Sequence, residues 1–250
     1  MSHSAPSTAP RNDVHGSRRQ REPAPHDEAA HLALVRRFGD PPQRALHETL
    51  AEWFKRAFDF VLAAAGIVVA SPVMLAAALA IKLTSPGPIF YRGVRTGRYG
   101  RPMFMYKFRT MAVDADRKGG DTTGTHDPRI TRVGRYLRNL KIDELPQLFN
   151  VLKGDMSLVG PRPEVYQYTT RYTDDELRIL AARPGITDRS SIEFADQQSL
   201  VGTDDPDRVF RETVLPRKNE LRLKYVDERS LMGDLVILFR TALVVLSKLR

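Results

Sequence analysis

Residues 60 to 81 form an uncharged apolar run of 22 residues, long enough to cross a lipid bilayer as a helix. Ser71 and Pro72 lie at its middle, and proline removes a backbone hydrogen bond and bends a helix. The run therefore predicts one of two paths. It is either a Pro-kinked spanning helix or a helix–break–helix that dips into one leaflet and returns. On the second path, the Ser71 hydroxyl would bond a carbonyl freed by the break.

Basic residues flank this run on both sides: Arg36, Arg37, Arg44, Lys55 and Arg56 precede it, and Lys82, Arg92, Arg95, Arg98 and Arg101 follow it. Basic residues next to membrane segments prefer the cytoplasmic side. Positive charge on both flanks therefore favours a path on which both ends stay in the cytoplasm, although hydropathy alone is equally compatible with a spanning helix.

The composition narrows the class of partner without choosing one. The net charge of +9 indicates an anionic partner, and nucleic acid, acidic lipid and phosphorylated substrates all satisfy it. The chain has no cysteine, which excludes disulfides and thiolate metal sites. The mean hydropathy of −0.36 is typical of a soluble protein, so any membrane contact must be local.

The organisation along the chain follows from changes in composition. Residues 1–45 are rich in Pro, Ser, His and Arg and are predicted to be a disordered basic extension. Residues 46–83 would form an interfacial helix, with Trp53 at the membrane surface, followed by the apolar run. Residues 84–229 carry short strand and helix patterns and predict a globular domain. Residues 230–250 predict an amphipathic helix lying on the membrane or on that domain.

Two adjacent acids are the strongest candidates for chemistry. Asp143 and Glu144 precede an apolar helical pattern, with Pro146 in the expected first turn and Gly154 at the expected end. The helix dipole would favour both carboxylates and lower both pKa values. An ionised acid there suits a nucleophile or a metal ligand, although simple helix capping would also explain the pair.

Four basic residues are candidate phosphate ligands: Lys107, Arg109, Arg138 and Arg162. Arg162 lies between two prolines on a stiff loop, and its planar guanidinium suits phosphate. Lys107 and Arg109 could instead be charges on an edge strand. Arg138 could belong to the solvated basic face of a helix that begins at Asp127. Three polar residues near the acids are expected to have structural roles as caps and helix-surface groups: Gln147, Asn150 and Asp155.

Several motifs in order resemble the bacterial sugar transferase family, the monotopic phosphoglycosyl transferases. They are Lys55-Arg56 with Asp59, Ser71-Pro72, SPGPIFY at 85–91, YKFRTM at 106–111, DELPQLFNVLKGDM at 143–156, GPRP at 160–163 and RPGIT at 183–187. The resemblance implies an α/β, mostly α, membrane-associated catalytic domain. It also implies a re-entrant membrane helix broken at Ser71-Pro72, which decides between the two paths, and a short form of the family.

The resemblance further implies an enzyme that moves a sugar 1-phosphate from a UDP-sugar to polyprenyl (undecaprenyl) phosphate. Asp143 would attack the donor and release UMP, Glu144 would assist, and Mg²⁺ bound by both acids would be the cofactor. The enzyme would act on the cytoplasmic face of the bacterial inner membrane, in contact with its lipids. It would catalyse the first membrane step of exopolysaccharide, O-antigen or glycan assembly. The resemblance implies no nucleic acid as a partner and is compatible with a homodimer.

The chain differs from many relatives of the family in one segment, and two other functions remain possible from the sequence. Many relatives continue after PGIT with Gly and a Trp-Gln pair, whereas this chain reads Asp188-Arg-Ser-Ser-Ile-Glu-Phe, so the sugar contacts made there are not predicted. A membrane-tethered nucleic-acid-binding protein fits the charge but has no reader motif. An Mg²⁺-dependent phosphatase would use the same acids and transfer to water.

Overall fold

The computed structural model describes residues 25–39, 46–113, 115, 123, 127–202 and 204–247. Its helices are Pro25–Phe38 (α1), Leu46–Thr84 (α2), Arg132–Asn139 (α3), Gln147–Lys153 (α4), Tyr166–Thr169 (α5), Arg189–Glu193 (α6), Gln197–Val201 (α7), Pro206–Val209 (α8), Leu215–Glu228 (α9) and Leu231–Ser247 (α10). Its strands are Phe90–Thr96 (β1), Pro102–Phe108 (β2), Ser157–Val159 (β3) and Gly185–Thr187 (β4). The described part is mostly helical, in agreement with the predicted class.

The strands form two small sheets. β1 and β2 pair antiparallel in register from Phe90 opposite Phe108 to Thr96 opposite Pro102. β3 and β4 pair parallel, and they bring the GPRP loop after β3 next to the chain before and after β4. The backbones are so close here that a Cβ on Gly185 would lie 2.1 Å from the Gly160 nitrogen. Only glycine fits this crossing, so the two loops hold each other in place.

Helix α2 unites the two segments that the sequence separated. The expected interfacial helix and the apolar run form one helix of 39 residues, and its assignment runs without interruption through Pro72. The Ser71 hydroxyl donates to the Val68 carbonyl at 2.8 Å. Val68 is the residue whose carbonyl would otherwise accept from position 72, where proline has no N–H. The expected serine–carbonyl bond is therefore present, and it helps the helix to continue where a break was predicted.

One face of α2 lies on the domain over most of its length. Asp59, Ala63, Met74, Ala77 and Ile81 are buried, at intervals that place them on one side of a helix. The other side is exposed and apolar: Phe60, Val61, Leu62, Val68, Val69, Val73, Leu75, Leu79 and Leu83. Among the described residues, α2 is the one helix long and apolar enough to cross a membrane.

The prediction of disorder for residues 1–45 is wrong for α1. Leu34 is buried against Tyr166 and Leu177, and His31 forms a 2.9 Å hydrogen bond with Tyr166. The disorder prediction rested on local composition, whereas these contacts lie more than 130 residues away along the chain. Residues 1–24 and 40–45, on which the rest of that prediction falls, lie outside the described residues.

The helix before the acids, α3, starts later than expected. Thr131 caps it, because its hydroxyl accepts from the Gly134 N–H at 2.9 Å, and Asp127 instead accepts from Arg129. Pro128 and Arg129 form a turn, and Ile130 then pairs with Met111 in a β-bridge, so the helix starts only after them. A 3₁₀ segment, Glu176–Ala181, precedes β4.

Candidate active site

The two acids lie on a tight turn between α3 and α4. Lys141 adopts a left-handed conformation with φ of 57°, which ends the path of α3 and redirects the chain. A 3₁₀ turn, Ile142–Glu144, follows, and α4 begins only after Pro146. The acids thus precede α4, in a separate 3₁₀ turn, and Pro146 is the N-cap of α4 instead of lying in its first turn as expected. Gly154 ends α4 in the left-handed region with φ of 90°, as predicted.

Glu144 is held by two of the predicted cations. Its carboxylate accepts from the Lys107 ammonium at 3.0 Å and from the Arg162 guanidinium. Burial alone would raise the pKa of Glu144, but Arg162 and then Lys107 outweigh it and hold that pKa well below its usual range. Glu144 is therefore a permanent anion that fixes two cations, one from β2 and one from the GPRP loop.

Asp143 is in the opposite situation. Its side chain is buried, and its Oδ1 has no hydrogen-bond partner in the described part of the chain. Burial raises the pKa of Asp143, while the charges of Lys107 and Arg138 oppose that rise. The expectation that both pKa values are lowered holds for Glu144 and is wrong for Asp143. The helix dipole does not set the direction of the pKa shift of Asp143, because desolvation by burial is the larger influence on this residue.

The four predicted basic residues separate into two groups. Lys107 and Arg162 contact Glu144, and Arg138 acts on Asp143 electrostatically while its Nε donates to the Thr110 hydroxyl at 2.8 Å. Arg109 instead donates to the Pro88 carbonyl at 2.6 Å and to Ser85, and so braces the turn before β1. Its predicted phosphate contact stays a prediction.

The position of Arg138 depends on a close helix approach. A Cβ on Gly134 would lie 2.0 Å from the Thr110 carbonyl oxygen, so α3 can approach the chain just after β2 only with glycine at this position. We expect Gly134→Ala to destabilise the protein by about 1–3 kcal/mol, because the helix must move away from backbone atoms. The midpoint of denaturant unfolding in detergent measures this.

Gly66→Ala is the matched control for that substitution. A Cβ there would meet only Leu148 Cδ1 at 3.4 Å, an ordinary contact, and alanine favours helix by up to ~1 kcal/mol. Equal unfolding midpoints for the two variants would contradict the close approach of α3.

A buried ionic network that the sequence did not reveal supports the Arg162 loop. Asp188 accepts from the Arg162 backbone N–H at 3.1 Å, and the Arg162 guanidinium donates to the Ile186 carbonyl at 2.9 Å. Asp188 also lies 3.6 Å from the guanidinium of Arg222, which is fully buried and bonds Glu164 at 2.6 Å. The segment after PGIT, whose contacts were not predicted, thus anchors the GPRP loop. The only sequence signal was the Asp188 that follows that motif.

The residues present can accommodate a divalent cation. No group of three His, Cys, Asp or Glu side chains forms a metal cluster within the described ranges. Mg²⁺ commonly takes only one or two protein carboxylates and completes its shell with water and substrate phosphates. The unpartnered oxygen of Asp143 suits that arrangement, whereas Glu144 is already occupied by Lys107 and Arg162.

Comparison with known proteins decides the family. The bacterial sugar transferase model matches residues 50–248. The chain belongs to this family. Three relatives are transferases by name.

An Aeromonas hydrophila UDP-N-acetylgalactosamine-undecaprenyl-phosphate N-acetylgalactosaminephosphotransferase is 37% identical over 78% of this chain and 44% of its own length. An Escherichia coli UDP-glucose:undecaprenyl-phosphate glucose-1-phosphate transferase is 37% identical over 75% of this chain and 39% of its own. A Caulobacter vibrioides protein of the same name is 40% identical over 75% of this chain and 67% of its own. The bacterial sugar transferase chain thus spans less than half the length of the first two.

Proposed function

We propose that this bacterial sugar transferase moves a sugar 1-phosphate from a UDP-sugar to undecaprenyl phosphate. The relatives named for this reaction support the substrate classes. The observation that carries the proposal is the contrast between the adjacent acids. Glu144 is neutralised by two cations, while Asp143 keeps an unpartnered oxygen among the described groups. One acid organises the site and the other is free to react.

In the first proposed step, a carboxylate oxygen of Asp143 attacks the sugar-bearing phosphorus. The bond from that phosphorus to the oxygen bridging the two phosphates breaks, and UMP leaves with the electron pair. Lys107 and Arg138 favour the ionised form of Asp143 that the attack needs. Lys107 and Arg162 lie one residue away at Glu144, where they can neutralise donor phosphates.

In the second step, a phosphate oxygen of the lipid attacks the same phosphorus. The bond from phosphorus to Asp143 breaks, and the free carboxylate is restored. Glu144 suits the role of orienter better than that of base, because its pKa is far below neutral and it seldom holds a proton. A Mg²⁺ ion at Asp143 would neutralise phosphate charge when bound.

We propose that α2, bent at Pro72 and otherwise continuous, enters and leaves the membrane on the cytoplasmic face. Glu52 precedes the apolar run and Arg98 follows it, yet the two side chains bond at 3.0 Å. A second contact of this kind joins the rings of Phe38 and Tyr99, whose centroids are 5.4 Å apart. Contact between segments on either side of the run supports a path that returns to the face it entered. The buried stripe on α2 adds support, since a crossing helix would draw the charged domain into hydrocarbon.

Single cysteines at positions 36 and 92 test this path. The chain has no cysteine of its own, and both positions are exposed. We expect Arg36→Cys and Arg92→Cys to react with a membrane-impermeant maleimide only from the cytoplasmic face of vesicles. Detergent-opened vesicles serve as the control for reactivity. Labelling of the two positions from opposite faces would rule out the re-entrant path.

UMP release tests the reaction. The protein in nanodiscs would receive Mg²⁺, undecaprenyl phosphate and a series of UDP-sugars that includes UDP-glucose and UDP-N-acetylgalactosamine. We expect steady release with at least one donor, dependent on the lipid and abolished by EDTA. The hydrolase alternative predicts steady release without lipid, because water would be the acceptor. No release with any donor from folded protein would refute the transferase.

A further inference from the structure

Gln147 is the first residue of α4 and follows Asp143 by four positions. It is fully buried, and neither Oε1 nor Nε2 has a hydrogen-bond partner among the residues that the structure describes. The sequence suggested a helix-surface role for this residue, which its burial contradicts. Buried amides in folded proteins are almost always hydrogen-bonded, so both ends of this amide are available to bond a further group.

Asn150, on the same face of α4, shows what a structural amide does in this fold. Its Oδ1 accepts from the Tyr106 N–H at 2.9 Å, and its Nδ2 donates to the Phe104 carbonyl at 2.6 Å. Both bonds join α4 to the edge of β2. Gln147 is equally buried and makes neither kind of bond. A purely structural role therefore explains Asn150 and does not explain Gln147.

The unpartnered atoms indicate which hydrogen-bonding atoms a ligand would need at this site. Asp143 Oδ1 and Gln147 Oε1 are acceptors, and Gln147 Nε2 is a donor. Leu145 and Pro146 keep helical backbone angles between the 3₁₀ turn and α4, so positions 143 and 147, four apart, lie on one side of the chain. The oxygen and nitrogen of one amide point in different directions, so a single water cannot bond both. A sugar phosphate presents both acceptor and donor atoms and so matches the whole set.

We infer that Gln147 binds the phosphosugar end of the donor. Its Nε2 donates to an oxygen of the phosphate that Asp143 attacks, and its Oε1 accepts from a hydroxyl of the sugar. This inference rests on the proposed transferase function and deepens it by assigning a donor-binding residue. Lys107 and Arg138 both act electrostatically on Asp143, so the phosphate would meet the positive charge of both.

The Gln147→Met substitution separates this role from a structural one. Methionine fills a similar volume without polar atoms, and removing unpartnered polar atoms from a buried site is neutral or stabilising. We expect the melting temperature of the ligand-free full-length protein to be unchanged or higher. The melting-temperature rise caused by Mg²⁺ with UDP-glucose or UDP-N-acetylgalactosamine should be lost. The kcat/KM for UMP release should fall roughly 10- to 100-fold.

Asn150→Leu is the matched control. It removes bonds that the fold uses, so its ligand-free melting temperature should fall while the donor-dependent rise persists. If Gln147→Met lowers the ligand-free melting temperature as Asn150→Leu does, Gln147 is structural and the inference is wrong. Normal donor response and normal kcat/KM in Gln147→Met would also overturn it. A wild-type protein that releases no UMP with any donor would instead refute the proposed function.

Discussion

Asp143→Asn is expected to abolish turnover and to leave the protein folded. The amide is nearly the same size as the carboxylate but cannot form the bond to phosphorus, so the rate of UMP release should fall at least ~10³-fold. Stability should not suffer. Burial raises the pKa of Asp143 in the folded protein, so its ionised form disfavours folding at every pH above the unfolded pKa. At pH 7 the substitution removes that effect, and the melting temperature should be unchanged or higher.

Glu144→Gln provides the comparison for Asp143→Asn. Glu144 has its pKa lowered, mainly by Arg162 and Lys107 acting against burial, and so contributes stability above its unfolded pKa. Its amide variant should therefore melt at a lower temperature at pH 7, and the difference should begin to shrink only when the pH falls below 4.5, the ordinary pKa of the group. Near-normal activity in Asp143→Asn would show that another group is the nucleophile.

Arg222→Met is expected to cause the largest loss of stability. The guanidinium is fully buried and bonds Glu164, with Asp188 3.6 Å away. Burial would raise the pKa of Glu164, and Arg222 and then Lys218 hold it down instead. Removing Arg222 leaves buried carboxylates without their main partner, which costs about 3–5 kcal/mol. The free energy of unfolding in detergent measures this loss.

Two further variants test whether the loss of stability in Arg222→Met comes from the buried ionic network. Arg217→Met removes another arginine of α9, but this side chain is half exposed and pairs with Glu193 and Glu220 at the surface, so its effect should be below ~1 kcal/mol. Adding Glu164→Gln to Arg222→Met removes one unpaired buried charge and should restore part of the stability. Equal effects of Arg222→Met and Arg217→Met would contradict the buried network.

Sequence patterns correctly predicted the structural features that depend on residues close together in the chain. The glycine that ends α4 and the apolar C-terminal helix both appear where the sequence placed them. The serine–carbonyl bond at Ser71 was also predicted, because proline at position 72 frees a known carbonyl. In each case the physical cause lies within a few residues of the effect.

The features that were missed depend on distant contacts. The α1 helix is packed against residues around Tyr166, and Arg109 is drawn to the carbonyls of the Ser85–Pro88 turn. The opposite pKa shifts of Asp143 and Glu144 follow from how deeply each is buried and which cations reach it. No local pattern carries that information, since Arg162 and Lys107 come from elements on either side of the acids in sequence.

The covalent intermediate is the most direct test of the account. The protein would be mixed with Mg²⁺ and a UDP-sugar that it turns over, without any lipid acceptor, and examined by intact-protein mass spectrometry and peptide mapping. The account predicts one equivalent of UMP and a mass gain of one phosphosugar on the peptide containing Asp143, discharged on adding undecaprenyl phosphate. If UMP forms only when donor and lipid are both present, and no adduct is found on an enzyme that turns over, the transfer is a single displacement and the role of Asp143 as nucleophile is wrong.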